Sequence, residues 1–334
     1  MRRLLWLAVL VVLLWSGWWA FAALSLRAGI TDWFEQRRAE GWQADYAAIR
    51  VSGYPFRIAL SLRAPALADP ATGVAVEASV LRLTSPAWWL GEADVIFPDD
   101  RILLASPEGR SSVLLEDGHA ALRLTPGSAL ELRALRFGAS AWTLEDPAGT
   151  VLTAGATEVS MVQDEADPAR YTMRLNATGL TPGQVPRQRL RIPQDWPVAF
   201  DAFGARMQVQ FDRPWDRRAL EERRPQPQQI NLSRAEIRWG ELLLMASADL
   251  GIDASGMPWG TVPLQARNWR AMLDLAVSAG ALSADFRPQV ERALSALAGA
   301  GGNPERFEVT LTLERGQVRV GFLPLGPAPR FILR

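Results

Sequence analysis

The run LLWLAVLVVLLWSGWWAFAALSL, from Leu4 to Leu26, carries no charge and lies between Arg2-Arg3 and Arg27. As a helix it would be about 34 Å long, against a hydrocarbon core of about 30 Å. This run constrains everything after it. The leading arginines favour an N-terminus left in the cytosol, with the bulk of the chain exported. Trp15, Trp18 and Trp19 suit an interfacial belt near the far end. The alternative is a cleaved signal peptide, because Ala20-Phe21-Ala22 fits a small-x-small cleavage site. The length of the run and the bulky Trp18-Trp19 pair favour an uncleaved anchor over residues 1–26. Either way the rest is exported.

What is exported reads as strands. In VSGYPFRIALSLRAPAL (51–67), Ile58, Leu60, Leu62 and Ala64 alternate with Arg57, Ser61 and Arg63, the period of a strand with one apolar face. RFEVTLTLERGQVRVGFLPLGP repeats the pattern as a closing hairpin, with Phe307, Val309, Leu311 and Leu313 on one face. Between them, turn signals at Asp117-Gly118, Asp146-Pro147-Ala148-Gly149 and Asp167-Pro168 predict an antiparallel meander, not alternating β-α units. GVAVEASVLRL (73–83) shifts phase at Val80, which predicts a bulge.

Helices are expected at four places. TDWFEQRRAEGW forms a short amphipathic helix within 27–45, with Asp32 and Glu35 at capping-box spacing and Gly41 as its stop. A second short one starts near Asp216. Two more fall within 268–299. One carries Trp269, Met272, Leu273 and Ala276; the other carries Val290, Leu294 and Leu297 and stops at AGAGGN (298–303). The fold class is mainly β with a few helices (α+β). A transmembrane helix leads into a β-rich domain over 46–334, built as one large curved antiparallel sheet or two packed sheets. Any internal division is expected in the charged, Pro-punctuated stretch 197–230.

Composition narrows the chemistry. The 334 residues hold 36 basic and 36 acidic side chains, so nothing draws the chain to nucleic acid. Every basic residue is Arg, which removes the Walker lysine. With no Cys and one His, neither a disulfide framework nor an ordinary zinc site is available, and no cofactor or metal is expected. His119, Asp117 and Ser112 are hairpin neighbours without a separate nucleophile platform, so an exposed turn histidine is the simpler reading. Acidic neighbours such as Asp99-Asp100 leave a carboxylate-dependent hydrolase as a remote alternative. No catalytic residue is assigned, and the chain is not expected to be an enzyme. Its 14 Trp against 3 Tyr are unusual. Trp88 and Trp89 stand side by side in a turn, where they cannot both face one core.

The opening anchor, GYPFRIALSL (53–62), WGELLLMASADLGIDASGMPWGTVPLQARNW (239–269) and LPLGPAPRF (323–331) together resemble an alphaproteobacterial family. It is catalogued as domain of unknown function twenty-one twenty-five and is distantly similar to the AsmA-like group. The resemblance covers nearly the whole chain. It implies a bent, β-rich periplasmic body on a single-pass bacterial inner-membrane anchor, with a hydrophobic concavity for lipid and no catalytic residue. The expected function is a non-enzymatic envelope protein that binds or shields acyl chains in a β-sheet groove. The candidate lipid contacts are Ile58, Leu60, Leu62, Trp88, Trp89, Val309 and Leu311. The alternative is an envelope scaffold with a dry core and protein partners of unknown identity.

Overall fold

The computed structural model describes residues 2–127, 129–280, 282–300, 306–321 and 323–333. The fold is mainly β, with two antiparallel sheets and a long N-terminal apolar helix. The chain forms two compact units, 1–124 with 144–147 and 125–143 with 148–334. The stretch 197–230, where a division was expected, lies inside the second unit.

In the first unit, helix α1 (Arg2–Ala39) is long and apolar enough to cross a membrane. It also corrects an expectation, because the anchor and the amphipathic segment at 27–45 are one continuous helix. Nothing between them breaks it. There is no Pro, Gly29 costs a helix only about 1 kcal/mol, and the Thr31 hydroxyl donates back to the Arg27 carbonyl. Asp32 is therefore mid-helix and caps nothing. Gly41 does stop the helix: it takes a positive φ of 90°, and Trp42 N–H donates to the Arg37 carbonyl.

The strands of this unit are β1 (Gln43–Asp45), β2 (Ala48–Ser52), β3 (Arg57–Arg63), β4 (Ala66–Asp69), β5 (Val74–Glu77), β6 (Val80–Pro86), β7 (Glu92–Ile96), β8 (Ile102–Ser106), β9 (Gly109–Glu116) and β10 (His119–Leu124). They pair antiparallel in the orders β1-β4-β5-β8-β9 and β2-β3-β6-β7-β10. Each long extended run crosses from one sheet to the other, so the unit is a creased meander. Hydrogen bonds bridge the crease: Ala64 N–H donates to Ser79 O, Ala78 N–H to Pro65 O and Phe97 N–H to Gly118 O. Strands that switch sheets at a bend are the usual way to turn a β corner.

The crease corrects two expectations. Asp117-Gly118 is not a hairpin, since β9 and β10 lie end to end in different sheets. Asp117 adopts φ +51°, which Asp tolerates, and a Cβ at Gly118 would lie 2.8 Å from that of Leu115. The phase shift at Val80 is likewise no bulge but the passage from β5 to β6 through Ala78-Ser79.

The second unit contains β11 (Leu132–Ala139), β13 (Gly149–Ala154), β14 (Thr157–Gln163), β15 (Arg170–Ala177), β16 (Thr181–Pro182) and β17 (Ala202–Phe211), while β12 (Ala141–Asp146) straddles the unit boundary. Helices α2 (Gln184–Arg189) and α3 (Arg218–Glu221) flank β17, and β18 (Pro227–Trp239), β19 (Leu242–Ile252) and β20 (Pro258–Arg267) follow. Then come α4 (Trp269–Ser278), α5 (Arg287–Ala300), β21 (Arg306–Glu314), β22 (Gln317–Val320) and β23 (Leu323–Pro327). One antiparallel order runs β11-β14-β15-β17-β18-β19-β20-β21-β22-β23. The turn at Asp167-Pro168, the short helix after Asp216, the two helices and the closing hairpin all fall where the residues place them. The side chain of Leu297 and the end of AGAGGN at 301–303 lie outside the described residues.

Asp253 shows how one side chain sets a turn. Its Oδ1 accepts from Ser255 N–H at 2.8 Å, the Ser255 hydroxyl at 2.7 Å and Met257 N–H at 2.9 Å, closing the loop between β19 and β20. These bonds, the Ser255 hydroxyl first, hold the carboxyl below its usual pKa. A depressed folded value means the stabilisation is present above the unfolded pKa and is lost as pH falls through the folded one. Asp253→Ala is therefore expected to melt below wild type at neutral pH. The gap should close on acidification, as read by thermal melts across an acid pH series.

Candidate functional site

The seven candidate lipid contacts separate into three groups. Ile58, Leu60 and Leu62 line no open groove. Ile58 is 0% exposed, and all three are sealed under α1. Ile58 packs with Ala22 and Ala87, flanked by Trp15, Trp19 and Leu26. Leu60 and Leu62 pack with Phe34, Ala44 and Ile49. The apolar face of β3 was read correctly, but its occupant is this chain's own helix. Trp88 and Trp89 part company: Trp88 is 63% exposed, while Trp89 is half-buried over Gly91.

Val309 belongs to a much larger feature, whereas Leu311 packs against the cluster of Leu250, Ile252 and Leu313. Register places Val159, Leu175, Ala205, Ala235, Ala246, Leu264 and Val309 in one row across β14, β15, β17, β18, β19, β20 and β21. Every residue in the row is apolar and none is buried; Val159 is 40% exposed. At about 4.8 Å per strand the row is about 29 Å long. Beside it runs a second row on the same face, from Leu135 through Met161, Met173, Met207 and Leu232 to Ala248. Its three methionines bring unbranched side chains that adapt to irregular shapes.

The face is roofed on both sides of the first row. On one side Leu244, Ala266 and Phe307 pack with Trp269 and Leu273 of α4 and with Val290 and Leu294 of α5. On the other, Tyr171, Val209 and Phe211 pack with Trp215, and Leu250, Ile252 and Leu313 pack with Ala328 and Phe331. The second row is drawn into these clusters: Met161, Met173 and Met207 pack against Tyr171, Val209 and Phe211, Leu232 packs against the Leu250 cluster, and Ala248 is buried. What remains is the first row, a half-exposed apolar band.

The reverse face of the same strands is polar. Arg136, Ser160, Arg174, Arg206 and Arg234 stand directly opposite one another on β11, β14, β15, β17 and β18, and all four arginines are exposed. Glu236 bonds Arg238 at 2.5 Å and also Arg234, and these bonds hold its carboxyl below the usual range. One face is thus built for water and the other is not.

Among the described residues, no group of three or more His, Cys, Asp or Glu side chains is placed to hold a metal ion. His119 is exposed, and its Nδ1 lies 2.8 Å from the Asp117 carbonyl oxygen. Ser112 sits on β9 in the other sheet.

The profile of a bacterial family described as "Uncharacterized protein conserved in bacteria (DUF2125)" matches residues 19–329. The chain belongs to this family. No curated protein and no solved structure matches it. Within this DUF2125 chain, the sequence singled out Val309 on an apolar strand face but not the residues that complete its row. The signal existed in RYTMRLNA, where Tyr171, Met173 and Leu175 alternate with Thr172, Arg174 and Asn176 just as β3 alternates.

Proposed function

We propose that the protein is a non-enzymatic component of the bacterial envelope, held in the inner membrane by α1 with its bulk in the periplasm. On this reading the second unit lends its apolar band to lipid acyl chains. The observation that carries it is the row from Val159 to Val309, which crosses seven strands without a polar side chain and is left half-exposed. Burying apolar surface yields about 25 cal/mol per Å², so a chain of methylenes would be held there without any specific polar contact. The tether keeps the chain at a source of lipid. Support for retention of the tether comes from its packing: cleavage after Ala22 would strip Trp15 and Trp19 from Ile58.

The test is gentle detergent extraction of the full chain, followed by mass spectrometry of co-purifying lipid. Wild type is expected to carry lipid above the level of an unrelated single-pass protein. Ala205→Glu and Ala235→Asp, at half-exposed positions where a charge still reaches water, are expected to lose most of it. Lipid at the control level in wild type would sink the reading. The scaffold alternative draws on the first unit, where the face of β3 is dry. Cross-linking that recovers a stoichiometric protein partner, with no lipid, would favour it.

A further inference from the structure

We infer that the turns joining β2 to β3 and β6 to β7 are immersed in the outer half of the bilayer, so that the body is partly sunk into the membrane. The inference rests on α1 as a membrane span and is independent of the apolar band. It starts from where the helix meets the body. Trp15 Nε1 donates to the Pro55 carbonyl at 2.9 Å, Trp18 Nε1 to the Ala87 carbonyl at 2.9 Å and Trp19 Nε1 to the Arg57 carbonyl at 2.8 Å. The hydroxyls of Ser16 and Tyr54 lie 2.8 Å apart. Both turns are therefore level with residues 15–19 of the helix.

That level lies inside the apolar run. From Leu4 to Leu14 the helix rises only about 16 Å, half of a hydrocarbon core of about 30 Å. The other half has to be crossed by the segment that already carries the turns. A body standing clear of the bilayer would leave the span too short.

The turns are dressed for that position. Tyr54 is 53% exposed, Phe56 67% and Trp88 63%, three large apolar side chains bare at one tip. Irregular backbone is tolerated at membrane depth only where its polar groups find partners within the protein. Here the indoles cap the carbonyls of Pro55, Arg57 and Ala87, the Phe56 carbonyl accepts from Ala87 N–H, and the Trp89 carbonyl accepts from the Ser85 hydroxyl. Pro55 and Pro86 bring no N–H to satisfy. Three tryptophans that suit an interfacial belt by sequence thus spend their N–H groups on carbonyls of the turns, which no longer need water as a donor. Exposed Arg57, beside Trp19, sets the depth at which the headgroups begin.

The absence of cysteine from the chain makes the test direct. F56C, W88C, L10C and E108C are each spin-labelled in the full chain. Each is reconstituted into liposomes of phosphatidylethanolamine and phosphatidylglycerol, with oxygen and a polar nickel chelate on both sides. Labels at positions 56, 88 and 10 are expected to collide several-fold more with oxygen, relative to nickel, than the label at the exposed position 108. If the label at 56 or 88 behaves as the one at 108 while position 10 stays in lipid, the immersion is overturned and the span survives. If position 10 also meets nickel freely, the span itself fails, and the immersion with it.

Discussion

Ile58→Ala is expected to lower the unfolding free energy of the detergent-solubilised chain by about 3 kcal/mol, within the usual 2–5 kcal/mol for a buried isoleucine. The side chain is 0% exposed and fills the space where α1 meets β3, against Ala22, Ala87, Trp15 and Trp19. Few sites are less able to collapse. The backbone on both sides is held by the indole hydrogen bonds to Pro55, Arg57 and Ala87, so the void stays open. Leu4→Ala, on the same helix at 75% exposure, is the control and should leave stability within about 0.5 kcal/mol of wild type. Equal effects from the two would mean that α1 is merely a leash. The expected contrast makes it a structural layer of the first unit, and the immersion of the turns depends on that layer being rigid.

Much of the fold was legible in single stretches. The period of two in 58–64 and 307–313 gave β3 and β21, and helical spacing gave α4 and α5. These signals are local, since each element shows its buried face in its own residues. The occupant of a face is not local. The docking side of α1 carries Trp15, Trp19, Ala22 and Leu26 within a run that is apolar all round, so nothing in that run distinguishes the side that meets β3. Crease and hairpin share the same turn chemistry, which is why Asp117-Gly118 misled. The phase shift at Val80 misled for a related reason, because a bulge and a change of sheet both reset which side of the strand is wet. The apolar band was hidden for another reason. Its row depends on the register of seven strands at once, and each contributes one ordinary Val, Leu or Ala. Alternation says that such residues share a face along one strand, and pairing alone says which of them meet across the sheet.

The same roofed core makes the alkaline limit of the fold a single-residue experiment. Tyr171 is fully buried on β15; its hydroxyl accepts from Trp215 N–H at 3.0 Å, and its ring meets Phe211 edge-on at 5.8 Å. Burial, aided by the charges of Glu131 and Asp216, pushes its pKa from 10.0 up to about 12. A raised folded value means that the unfolded chain loses this proton first. Stability is then complete below about pH 10 and falls as pH climbs towards 12, by about 2–3 kcal/mol in all. In most proteins lysines discharge over the same range and blur the effect. This chain has no lysine, and only Tyr46 and Tyr54 as other phenols. Tyr171→Phe should therefore start about 1 kcal/mol less stable, because Trp215 N–H loses its acceptor, and then hold nearly level where wild type declines. Denaturant melts at intervals from pH 9 to pH 12 read both curves, and parallel declines would place the alkaline weakness somewhere other than this phenol.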